Sequence, residues 1–96
     1  MKRLRLTHRA LDYLKDKQVQ VITVDLESYG ASLPVSVAVV HEAVPQKPEQ
    51  YEKHLVDNIT IYVFEPMEFR GNLVVIDRKK KLFGQAHLVA GDLKLT

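Results

Sequence analysis

A chain of 96 residues, 46% apolar and 27% charged, specifies one folded domain with no room for a second independent core. It contains no cysteine, which excludes thiolate catalysis, zinc fingers, disulfide frameworks and cysteine-held iron–sulfur clusters for these residues. Basic residues number 14 and acidic ones 12, and a net charge of +2 implies no nucleic-acid partner unless it clusters on one face.

Leu4, Arg5 and Leu6 read as a short strand leading into a helix over residues 7–16. Thr7 is placed to cap it, because its hydroxyl can accept from an unpaired amide of the first turn. Leu6 and Leu11 have the spacing of a hydrophobic staple. Ala10, Leu11 and Leu14 form the apolar stripe, and Lys15 and Lys17 suit the C-terminal end of the dipole. The period then changes to two. VQVITVDL, residues 19–26, is rich in β-branched residues and reads as a strand, with a slip in its alternation at Val21 and Ile22. LPVSVAVV, residues 33–40, is another, with Pro34 confined to its start or edge.

Residues 42–58 carry two prolines and many charges, and they read as a solvated connection with one helical turn near Glu49. Asp57-Asn58 is a turn signal. Residues 59–64 (ITIYVF) are apolar on both faces, as a central strand should be, with Tyr62 and Phe64 expected under the helix. After a loop ending at Gly71-Asn72 come short strands at 73–77, 86–89 and 93–95. One helix and about six short strands make a mainly β domain with an N-terminal helix, arranged as a small mixed sandwich or incomplete barrel. It fills residues 1–96 as a single domain.

The strings LTHRALDYLKDK, VITVDL, VDNITIYV and LVVIDRKKKLFGQAHLVAGDLKL, in that order, resemble the HesB-like domain of A-type iron–sulfur carriers. The likeness is closer to short HesB-related proteins that carry a Cys-Cys or selenocysteine-Cys pair. It implies two small sheets packed beside one helix. It also implies that the sulfur pair belongs in the loop after the second strand, with further cysteines of the larger carriers in a C-terminal tail. Here that loop is Glu27-Ser28-Tyr29-Gly30-Ala31-Ser32, and the chain ends at Thr96 after LKLT without such a tail. A serine hydroxyl is too basic to replace a thiolate on iron at neutral pH, so the fold carries over and the cluster chemistry does not.

Other candidate sites are sparse. His8, His41, His54 and His87 have no histidine neighbour at ligand spacing, and His54 sits in the charged connection, where it should be solvated. Asp25 and Asp77 stand at strand ends, where a catalytic carboxylate can form but turn or capping roles are more frequent. Arg78, Lys79, Lys80 and Lys81 offer either a phosphate contact or a solvated turn that protects a strand edge. Without interleaved aromatics the run does not by itself make a nucleic-acid surface, though Lys2, Arg3 and Arg5 would strengthen it if they lay nearby. Tyr29 is a candidate binding anchor.

The expectation is a non-enzymatic, HesB-like protein- or small-ligand-binding module with no catalytic residues, no metal and no cofactor. Its candidate binding residues are Glu27, Ser28, Tyr29 and Ser32. Two alternatives stand beside it: a metal carrier using histidine and carboxylate ligands, and a weak nucleic-acid binder acting through Arg78 to Lys81. The basic N-terminus lacks the apolar stretch of a signal peptide and no run is long enough to span a membrane, so a cytoplasmic protein is expected. Its partner would be an unidentified protein, and exposed strand edges leave room for a homodimer.

Overall fold

The computed structural model describes residues 2–29, 35–80 and 86–91. Strand β1 (Arg3–Leu6) leads into helix α1 (His8–Asp16), followed by β2 (Val21–Tyr29), β3 (Val35–His41), β4 (Tyr51–Val56), β5 (Ile59–Phe64), β6 (Leu73–Lys80) and β7 (Ala86–Gly91). The strands form two mixed sheets. One has the order β1-β6-β7, with β1 parallel to β6, and the other has the order β3-β2-β5-β4, with β2 parallel to β5. The remaining pairings are antiparallel.

The helix begins where its sequence dictates. The Thr7 hydroxyl accepts from the Ala10 amide at 3.2 Å, and Ala10, Tyr13 and Leu14 form the buried face. Leu6 and Leu11 both pack half-buried against the core. Gln18, at a φ of 58°, turns the chain out of the helix, and the Val19 amide donates back to the Leu14 carbonyl.

Alternation sets the core. Ile22 and Val24 of β2, Ile61 and Val63 of β5, and Val74 and Ile76 of β6 are wholly buried, with Leu14 above them. Each such side chain contributes roughly 1.5–3 kcal/mol. The sheets approach each other along two seams, β1 against β4 and β7 against β3, giving an incomplete barrel with no closing ladder among the described residues. At the first seam the Lys2 ammonium, almost fully buried, pairs with Glu52 and donates to the Glu65 carbonyl at 2.8 Å. At the second, the Tyr13 hydroxyl donates to Glu42 at 2.8 Å, close to the Ala86 carbonyl. The expected mainly β domain with one helix is therefore what forms.

Several expectations need correction. Residues 42–58 are not all a solvated connection, because β4 occupies Tyr51–Val56 after a 3-10 turn at Pro48–Gln50. Asp57 and Asn58 have φ of 50° and 67°, a two-residue I′-type turn joining β4 to β5. Tyr62 and Phe64 do not lie under the helix. They occupy the outer face of β5, opposite Ile59, Ile61 and Val63, and the Phe64 ring sits 5.4 Å from that of Tyr51. Asp25 and Asp77 lie inside strands and not at their ends. The expected strand at 93–95 lies outside the described residues.

Candidate functional site

Of the four residues expected to bind, Glu27, Ser28 and Tyr29 belong to β2 and not to a loop. They pair with Val37, Ser36 and Val35 of β3, so the strand runs three residues into the stretch read as a loop. Ser32 lies outside the described residues. The donor set across positions 27–32 is carboxylate, hydroxyl and phenol, with no sulfur, and it does not fit an iron–sulfur cluster.

The outer face of β2 does carry a site that sequence reasoning missed. Thr23, Asp25 and Glu27 alternate along it, and residues 42–50 fold back across the near end. The Thr23 hydroxyl donates to the Ala43 carbonyl at 2.6 Å, which fastens this connection down and leaves Thr23 buried. One Asp25 oxygen accepts from the Leu26 amide at 2.9 Å. The other accepts from the Tyr51 hydroxyl at 2.9 Å, reaching from β4 across β5. Burial, then the hydrogen bond and charge of Asp25, raise the Tyr51 pKa, so the phenol stays protonated and acts as a donor.

These groups line a cleft of about 470 Å³ together with His41, Lys47, Val44 and Pro45. His41 connects it to the expected region, since its Nε2 lies 3.6 Å from a Glu27 oxygen. The cleft thus offers a carboxylate, an imidazole, a phenol and an ammonium around a small apolar wall that includes the exposed Val44. Such a mixture suits hydrogen bonding to a small polar molecule or a peptide segment. The Thr23 hydroxyl already has its partner and is not poised as a nucleophile. Alternation of Thr23, Asp25 and Glu27 was a usable sequence signal, whereas Tyr51 had none once its strand had been read as a connection.

The histidines are dispersed. His8 opens α1 and is exposed, and His41 closes β3. His54 is a correction: it lies on β4 with its side chain only 14% exposed, its Nε2 3.4 Å from Glu52. His87 is half-buried on β7. Among the described residues no three metal-ligating side chains converge. The basic run is not a turn either: Arg78, Lys79 and Lys80 extend β6 and pair with Leu88, His87 and Ala86, while Lys81 lies outside the described residues.

Burial alone would raise the Glu52 pKa. The hydrogen bonds and charge of Lys2, with a smaller contribution from His54, outweigh it, and the carboxyl lies below its ordinary range. Asp77 is also lowered, first by the Thr7 hydroxyl at 2.6 Å, then by the Arg78 amide and by Arg9 at 2.7 Å. This carboxylate therefore ties the start of α1 to β6 by holding Thr7, the residue that caps the helix.

No helix among the described residues is long and apolar enough to cross a membrane. A family model described as the CC/Se motif containing family matches residues 2–91, a span that takes in both sheets and the helix. No curated protein and no solved structure matches the chain.

Proposed function

We propose that this chain, which belongs to the CC/Se motif containing family, is a HesB-like binding module that works without sulfur chemistry. It holds a small polar ligand or a peptide segment and catalyses nothing. One observation carries this reading: a sulfur-named family scaffold with no cysteine has a cleft on the outer face of β2, lined by Asp25, His41 and Tyr51 and adjoining Glu27. The HesB resemblance puts the sulfur pair within residues 27–32, which begin further along the same strand, so in this reading the ligand site is a different one on a shared scaffold.

Amide-resolved NMR of the labelled protein against a library of small polar fragments tests this. Shift changes should cluster on Thr23, Asp25, His41 and Tyr51, and Tyr51→Phe should weaken those hits several-fold while the rest of the spectrum stays native. Hits scattered over other surfaces, or none at millimolar fragment, would remove the cleft as the binding site.

A further inference from the structure

The net charge of +2 conceals a strong segregation between the sheets. Strands β1, β6 and β7 carry Arg3, Arg5, Arg78, Lys79 and Lys80 against one carboxylate, Asp77. Strands β2 to β5 carry Asp25, Glu27 and Glu52 against Lys53. Sequence alone separates Arg5 from Lys79 by most of the chain, and the parallel pairing of β1 with β6 brings them onto one sheet.

Alternation orients them. Leu4 and Leu6 face the core, so Arg3 and Arg5 point outward, and both are exposed. On β6, Val74 and Ile76 face the core, so Asp77 and Lys79 share the outer face with the two arginines. Arg78 faces inward and is half-buried, which removes it from this surface. The one carboxylate does not neutralise the track, because Asp77 is already held by Thr7, the Arg78 amide and Arg9. Among the described residues neither Arg5 nor Lys79 has an ion-pair partner, and the Arg3 guanidinium contacts only the Gly71 carbonyl, at 3.2 Å.

From this segregation we infer that the outer face of the β1-β6-β7 sheet is a contact surface for the phosphate backbone of duplex nucleic acid. Arg3, Arg5 and Lys79 form a basic track roughly 20 Å long at about 3.3 Å per residue. Guanidinium forks match phosphate oxygens bidentately. These three strands carry no Phe, Tyr or Trp, and their one aromatic ring, that of His87 beside Lys79, is half-buried, so the contact is with a paired backbone. An acidic protein is the weaker fit. Leu73, Val75 and Val89 share this face but are half-buried beside Arg3, Arg5 and Asp77, and among the described residues the exposed large apolar ones, Val44 and Leu55, both lie outside this sheet. The surface is independent of the cleft on β2, and either can fail without the other.

Fluorescence anisotropy with a labelled mixed-sequence duplex DNA, and with duplex RNA of the same sequence, tests it. Binding at low salt should weaken with added salt at a log–log slope near −3, since each neutralised phosphate contributes about −0.9. Arg5→Gln should reduce that slope by about 1, and Arg5→Lys should restore it. Lys53→Gln on the other sheet should change nothing. Saturable binding of either duplex supports the surface, and preference between them identifies the helix geometry it fits. Absence of binding by both at low salt, an equal loss with Lys53→Gln, or tighter binding of polyglutamate would overturn it.

Discussion

Thr7 performs two tasks with one hydroxyl, accepting from the Ala10 amide and donating to Asp77. Replacing it with alanine removes the cap and leaves Asp77 short of its strongest partner. Thr7→Ala should therefore cost about 1–2 kcal/mol, with Thr7→Ser recovering most of it, read as a shift in urea midpoint at unchanged slope. Asp77 itself should be visible in the pH dependence of stability. Its folded pKa is depressed, so its contribution is present above the unfolded value of about 3.9 and is lost as pH falls through the lower folded value. Stability of the native chain should fall steadily below about pH 5, and Asp77→Asn should flatten part of that acid limb. Glu52, depressed by Lys2, accounts for a further share that the Asp77 variant keeps.

Strand β4 shows what kind of element is hard to see in a sequence. Its outward residues Tyr51, Lys53 and Leu55 alternate with Glu52, His54 and Val56, and at an edge neither set looks like a core. Leu55 is 72% exposed and Glu52 enters the interior only because Lys2 meets it there. Prolines just upstream completed the resemblance to a solvated loop. Yet a two-residue turn at Asp57-Asn58 requires a strand on each side, so half the signal was present. The helix was legible because its cap, staple and stripe are local, and β5 because both its faces are apolar. The cleft was not legible, since the Asp25–Tyr51 contact depends on the order in which β2, β5 and β4 lie side by side. The turn is a direct test of the hairpin: Asn58→Gly should be neutral or stabilising, because φ of 67° suits glycine. Asn58→Val should cost about 1–2 kcal/mol through the same left-handed backbone, a fall in Tm on the order of 5–10 °C for a domain this small.

At the scale of the whole molecule, two sheets meet along two seams and leave opposite outer faces with opposite character. One face holds the cleft of Asp25, His41 and Tyr51, and the other holds the basic track of Arg3, Arg5 and Lys79. The mainly β architecture with one helix followed from the sequence, while the charge polarity needed the β1–β6 pairing to appear. Both surfaces belong to a scaffold that, in our reading, is HesB-like and works without thiolates. Anaerobic incubation of the untagged protein with ferrous iron and sulfide, then desalting, tests that reading most directly. The expected result is a colourless protein with only trace iron. A brown monomer that keeps near-stoichiometric iron and a visible iron–sulfur absorption band would contradict it.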